Sequence, residues 1–174
     1  MQEILEKASR IRLIIFDVDG VLTDGNLYLG NSGEELKTFN IKDGLGIKLL
    51  MRSGVEVGVI TGRKSRLVAQ RMQSLGVEHI YQGQHHKLPA YQELVAKLGF
   101  ESEQVAYVGD DLIDLPLMRR VGFAVAVADA HPLVKQHAHW QTPAAGGKGA
   151  AREVCELLMK AQGTLDEAYR VYLE

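Results

Sequence analysis

Cysteine occurs once in the 174 residues, at Cys155, so no disulfide can close within the chain. Its flanks, Arg152-Glu153-Val154-Cys155-Glu156-Leu157-Leu158, have the spacing of an amphipathic helix and predict a core thiol. No apolar run approaches the roughly 18 residues of a membrane span. The first residues, Met1-Gln2-Glu3-Ile4, also lack the basic-then-apolar order of a secretion signal, which sets the expectation of a cytoplasmic protein without a membrane partner. Neither charge sign is in excess: 20 basic against 22 acidic residues leave a formal net charge of -2, with no electrostatic reason to expect nucleic acid or an anionic surface as partner. Internal repeats, linkers and low-complexity tracts are missing. What remains, 46% hydrophobic and 24% charged, fits one globular domain over residues 1–174 with a sizeable core.

Within that domain short β-branched runs alternate with longer helical patterns. Strands are predicted at Leu13 to Phe16, Val55 to Ile60, His79 to Tyr81, Val105 to Val108 and Phe123 to Val127. Leu45 to Met51, Ser65 to Leu75, Leu88 to Leu98 and Leu112 to Val121 carry apolar residues at three- and four-residue spacing, each followed by a glycine at 54, 76, 99 or 122. Gly149 to Ala161 and Leu165 to Leu173 read as two more helices separated by Gly163 and Thr164. The alternation predicts an α/β fold, a doubly wound, Rossmann-like and mostly parallel sheet flanked by helices.

One segment breaks the pattern. Leu27 to Leu29 and Glu35 to Ile41 read as two strands around the turn Gly30-Asn31-Ser32-Gly33, a hairpin over about 26–41 that projects after the first strand. Leu27, Leu29 and Leu36 are expected on one face and Tyr28, Phe39 and Ile41 on the other. Such a ribbon is marginal unless something covers it; packing on its own domain would serve, but a subunit interface fits two apolar faces better.

Each strand ends in a polar group: Asp17 and Asp19 after the first, Thr61-Gly62-Arg63 after the second, Lys87 at the helix after the third, and Gly109-Asp110-Asp111-Leu112-Ile113-Asp114 after the fourth. In a parallel sheet these ends converge on one edge. Taken singly they are weak signals: Asp17-Val18-Asp19 can be a solvated turn, Thr61-Gly62-Arg63 and Asp110-Asp111 can be helix caps, and Lys87 can be an ordinary helix-start lysine. Together they suit a hard cation and a phosphate. Clustered carboxylates repel one another and a phosphate dianion, so Mg²⁺, which prefers oxygen ligands, is called for, and Lys87 and Arg63 can take the remaining charge.

In that order these residues resemble the four motifs of the haloacid dehalogenase (HAD) superfamily, over about residues 11 to 130. The runs 17–25 and 146–153 are further similar to its capless group acting on 3-deoxy-D-manno-octulosonate 8-phosphate. The resemblance implies a phosphatase in which Asp17 is the nucleophile and Asp19 protonates the leaving alcohol and then deprotonates water. It implies that the Asp17 carboxylate, the Asp19 main-chain carbonyl and Asp110 hold Mg²⁺, that Thr61, Arg63 and Lys87 bind substrate, and that Asp111 and Asp114 stand behind them, orienting metal water and Lys87. Asp17, with an ordinary carboxyl, is expected to be ionised, whereas Asp19 must hold a proton, aided by neighbouring carboxylates. Val21 stands where many members carry Thr and is expected to affect the turn rather than the chemistry.

Neither gap between motifs has room for a cap domain, since only the hairpin follows the first motif and one helix and one strand separate Arg63 from Lys87. The resemblance implies a homotetramer whose hairpins roof adjacent sites, a sugar-acid phosphate as substrate, and a role in lipopolysaccharide precursor synthesis; an N-acylneuraminate 9-phosphatase is the alternative. From another class, a phospho-accepting receiver would place its phosphorylated Asp after the third strand, and an assembly domain would have a degenerate site. Thr142-Pro143-Ala144-Ala145-Gly146-Gly147-Lys148-Gly149, at the start of the C-terminal arm and helices over about 142–174, is not a nucleotide loop, which would need Gly at 142 and Ser or Thr at 149. It reads either as a flexible arm bringing Lys148 and Arg152 to a sugar-acid carboxylate or as a linker. His85 and His86 read as loop residues, His131, His137 and His139 as packing or surface groups without partner ligands at zinc spacing. Asp43-Gly44-Leu45-Gly46 reads equally as a helix cap or a close approach to substrate.

Overall fold

The computed structural model describes residues Met1–Glu174. Its main sheet has six strands, all parallel, in the order β5-β4-β1-β6-β7-β8: β1 Leu13–Phe16, β4 Glu56–Ile60, β5 His79–Tyr81, β6 Val105–Gly109, β7 Phe123–Ala126 and β8 Trp140–Gln141. Every residue of β1, β6 and β7 is buried, which is why these strands read as unbroken apolar runs rather than alternating ones. The chain winds outward from β1 through β4 to β5, then returns to the other side of β1 for β6, β7 and β8. The order therefore reverses beside β1, where loops after β1 and β6 diverge and leave a crevice at their carboxyl ends. One cluster of 43 buried apolar residues fills both sides of the sheet.

The helices are α1 Gln2–Ser9, α2 Ile41–Arg52, α3 Arg66–Leu75, α4 Leu88–Leu98, α5 Leu115–Met118, α6 Pro132–Gln136, α7 Ala150–Ala161 and α8 Leu165–Arg170. The predicted strands hold to within a residue or two, and α3 and α4 end on left-handed glycines at Gly76 and Gly99. Other elements differ from the expectation. The helix expected from Leu45 begins at Ile41, because the Asn40 side chain accepts from Lys42 N at 2.8 Å and caps it. The helix expected over Leu112 to Val121 is a 3₁₀ turn, Leu112–Asp114, followed by the single turn of α5, and Gly122 packs against the Glu103 backbone instead of turning left-handed. The last helix stops at Arg170, and α1, α6 and β8 have no counterpart in the prediction.

The hairpin exists but is short. β2 Tyr28–Leu29 pairs with β3 Glu35–Leu36, so Phe39 to Ile41 are not strand. The register sets Tyr28 opposite Leu36 and Leu29 opposite Glu35; Leu29 and Leu36 therefore lie on opposite faces, and the expected grouping of Leu27, Leu29 and Leu36 is wrong by one position. Leu27, Leu29, Leu36 and Ile41 are each more than half exposed, leaving apolar side chains in water as expected.

Candidate active site

The register of the sheet builds the site. Phe16 pairs with Val59 and Val108, so Asp17, Thr61 and Asp110 all stand just beyond the last paired residues of adjacent strands. Asp17 N still donates to Val108 O at 3.0 Å and Thr61 N to Tyr81 O at 2.9 Å, which extends the ladder into the site. A cleft of about 240 Å³ opens here, lined by Asp17, Asp19, Thr61, Arg63, Asp110 and Asp111 among others.

The turn after β1 is held by the Thr23 hydroxyl, which accepts from Gly20 N at 3.3 Å and Gly25 N at 3.2 Å and donates to Val18 O at 3.4 Å. Val21 contributes a buried side chain, and its carbonyl accepts from Gly147 N at 2.9 Å. Gly20 has φ +90° and a Cβ there would fall 2.0 Å from Asp110 Oδ2, so only glycine lets the loops of β1 and β6 meet.

Lys87 is the buried centre. Its ammonium lies 2.9 Å from Asp17 Oδ1 and 2.7 Å from Asp114 Oδ1, and 3.0 Å from the Tyr107 hydroxyl, which itself donates to Asp114 Oδ1 at 2.6 Å. Burial works against the lysine's charge, but Asp17 and Asp114 more than offset it and raise its pKa. Asp114 Oδ2 accepts from Asp110 N at 2.9 Å and Asp111 N at 3.2 Å, so both its oxygens are spoken for. Asp17, Asp110 and Asp114 bring carboxylate oxygens within 4.8 Å of one another.

That crowding corrects one expectation. Asp17 is not an ordinary carboxyl: burial and the Asp114 charge raise its pKa to about 6 against the pull of Lys87. Burial, with Asp17 and Asp114 beside it, pushes Asp110 up to about 8. Asp110 Oδ1 is moreover buried with no partner. An orphaned carboxylate oxygen among three acids and one ammonium suits a hard cation, and the donor set fits Mg²⁺. Since Asp114 is saturated by four hydrogen bonds, Asp17 and Asp110 are the carboxylates with oxygens to offer it.

Thr61 is buried at the cleft wall. Arg63 lines the cleft, but its Nη2 meets Glu35 of the hairpin at 3.0 and 3.1 Å. Asp111 accepts from Leu112 N at 2.8 Å and caps the 3₁₀ turn. Asp19 borders the cleft with a cation beside it rather than the expected carboxylates: Lys37 Nζ donates to its Oδ1 at 2.5 Å. His85 and His86 are exposed; His131 Nδ1 accepts from Leu133 N and His139 Nδ1 from Ala124 N, both structural bonds. Cys155 is fully buried, and burial pushes its thiol well up.

The glycine-rich tail packs on the rest of the chain. Gly146 N donates to Asp129 Oδ1 at 2.9 Å, and a Cβ on Gly146 would fall 1.7 Å from Gly20 O, so the tail buttresses the turn that carries Asp17 and Asp19. Arg152 pairs with Glu156 and lies over the Tyr169 ring, away from the cleft, and Lys148 is exposed. Asp43 is no substrate contact either: at 2% exposure it accepts from Arg152 N at 2.9 Å and so caps α7 from α2. Two site residues escaped the sequence. Tyr107 had a readable signal, a lone phenol in a fully apolar strand, where a buried hydroxyl needs a partner. Lys37 had none, since alternating charges on a hairpin read as a solvated face.

A family model described as haloacid dehalogenase-like hydrolase matches residues 77–154. Over 166 residues the chain is 58% identical to the 3-deoxy-D-manno-octulosonate 8-phosphate phosphatase of Escherichia coli K12, covering 95% of this chain and 88% of the relative. The crystal structure of the phosphatase of that name from Yersinia pestis superposes with a TM-score of 0.93 at 54% identity, covering 94% of this chain and 89% of the other. The enzyme from Moraxella catarrhalis, solved with magnesium, phosphate and a KDO molecule, superposes with a TM-score of 0.97 at 43% identity over 99% of both chains.

Proposed function

This chain belongs to the haloacid dehalogenase-like hydrolases, and from that premise we propose that it is a Mg²⁺-dependent phosphomonoesterase. Its substrate is 3-deoxy-D-manno-octulosonate 8-phosphate, which it converts to the free sugar acid KDO and phosphate for lipopolysaccharide precursor synthesis. The observation that carries the reaction type is the meeting of Asp17, Lys87 and the unpartnered Asp110 oxygen at one cleft. The substrate follows from the 58% identity to a phosphatase of that compound. The whole chain acts as one cytoplasmic catalytic domain.

In the first step an oxygen of Asp17 attacks phosphorus, the bond to the sugar C8 oxygen breaks, and Asp19 gives that oxygen a proton. In the second, water attacks the aspartyl-phosphate while Asp19 takes its proton, releasing phosphate and restoring Asp17. Lys87 and the Thr61 hydroxyl hold phosphoryl oxygens and stabilise charge gathering there. Asp114 and Tyr107 hold Lys87 in place from behind. The Asp17 and Asp110 carboxylates with the Asp19 main-chain carbonyl would hold Mg²⁺, which supplies the positive charge that lets a phosphate dianion approach so many acids. Arg63 serves the substrate end of the cleft. The hairpins of four chains, apolar on both faces, pack together and roof neighbouring sites, which supplies the cover that a capless cleft lacks.

The deciding experiment is phosphate release from the octulosonate 8-phosphate, N-acetylneuraminate 9-phosphate and a hexose 6-phosphate, with Mg²⁺ and with a chelator. The expected result is Mg²⁺-dependent turnover fastest on the first, abolished in Asp17→Asn without loss of the cooperative melt. No metal-dependent turnover would defeat the reaction, preference for another panel member the substrate, and an active Asp17→Asn the nucleophile.

A further inference from the structure

Lys37 has no part in the chemistry above, yet its side chain is only 2% exposed. A lysine is buried at that level only where its charge is met. Here the ammonium lies 2.5 Å from Asp19 Oδ1 and 3.4 Å from Glu35 Oε1, and Glu35 in turn receives Arg63 on both oxygens. Charges of alternating sign thus run from the turn after β1, through the base of the hairpin, to the loop after β4. Asp19 is 26% exposed at the lip of the cleft and has no other side-chain hydrogen bond, so its carboxylate has one anchor.

We propose that Lys37 is a positioning residue that fixes the orientation of the Asp19 carboxylate for its two proton transfers. The inference rests on the role given to Asp19 above. A proton donor works only within about 2.6–3.2 Å of the oxygen it serves, and a misplacement of about 1 Å can cost on the order of 10²-fold. A short side chain on a turn, open to water, has several rotamers to choose from. Lys37 selects one of them, and because Glu35 and Arg63 hold the other end of the chain of charges, the hairpin determines where that anchor stands. Lys37 touches neither the phosphorus nor the leaving oxygen.

The test turns on the leaving group. The sugar C8 alkoxide needs a proton, whereas p-nitrophenolate leaves without one, so the first turnover of p-nitrophenyl phosphate does not require Asp19 as an acid. Lys37→Met keeps most of the length of the side chain and removes the charge. It is expected to lower kcat on the octulosonate 8-phosphate about 10²-fold with little change in KM, while the rapid-mixing burst of nitrophenolate keeps its rate and amplitude. Lys37→Arg is expected to recover most of the loss, and Lys37→Met placed in the Asp19→Asn background to cost nothing more. A retained burst also shows that fold and nucleophile are intact. Unchanged sugar-phosphate turnover in Lys37→Met, a burst slowed as much as the sugar-phosphate reaction, or a further multiplied loss in the Asp19→Asn background would each overturn the inference. Full turnover by Asp19→Asn alone would instead remove the role of Asp19 and the inference with it.

Discussion

Asp17 and Asp110 are held where their charges are costly, and pH therefore acts on them in a definite direction. Both pKa values are raised above the ordinary 3.8, to about 6 and about 8, chiefly by burial. Their neutral forms favour the fold, so that contribution is complete below about pH 4 and is lost as pH climbs through 6 and then 8. Mg²⁺ binds the ionised forms and must displace those protons at low pH. In melts with and without Mg²⁺, the rise in Tm caused by the metal is expected to be larger at pH 8 than at pH 5; an equal rise at both would show that these two carboxylates are not its ligands. At the same scale, the motif residues Asp17, Thr61, Lys87 and Asp110 were legible because each comes after a strand that the sequence shows. Their partners were not: nothing in a linear reading sets Tyr107 against Lys87 or Lys37 against Asp19, 18 positions apart.

The elements divide by how much of their stability is local. α3 and α4 have an apolar stripe and a left-handed glycine at the end, and their sequences show both. β8 has two residues and no period of its own; it exists because β7 offers an open edge. α7 is a mixed case. Its apolar face is plain, but its N-cap Gly149 offers no side chain, and the missing acceptor comes from Asp43 on α2, 109 positions away from Arg152. Loss of a cap costs about 1 kcal/mol, so Asp43→Ala is expected to lower unfolding stability by about that amount in urea titrations at pH 7. Asp43→Asn, which keeps the acceptor and removes a buried charge, is expected to cost less. Equal losses in the two variants would mean that the cap contributes nothing. The tail 142–149 belongs here too: its glycines predicted freedom, but Gly146 and Gly147 are used for close contact with the turn after β1.

For the whole molecule the unresolved need is cover for the hairpin. Leu29 is 70% and Leu36 62% exposed, and they sit on opposite faces, so folding back onto its own domain could hide only one of them. Sedimentation at micromolar concentration is expected to give four times the chain mass, and Leu29→Glu together with Leu36→Glu to shift it towards the monomer while the melt persists. A wild type that sediments as a monomer would defeat the hairpin interface.

The sequence by itself determined five of the six strands of the sheet, the side of it that carries chemistry and the absence of a cap, since strand and helix periods are written within about ten residues and parallel strands bring their carboxyl ends together whatever the loops contain. Tertiary structure alone decided which charges meet: that Asp114 is saturated, that Asp110 keeps a free oxygen, that Asp43 caps a distant helix and that Lys37 anchors Asp19. A side chain's partner depends on how separate loops are brought into register by packing, and no local pattern encodes that meeting.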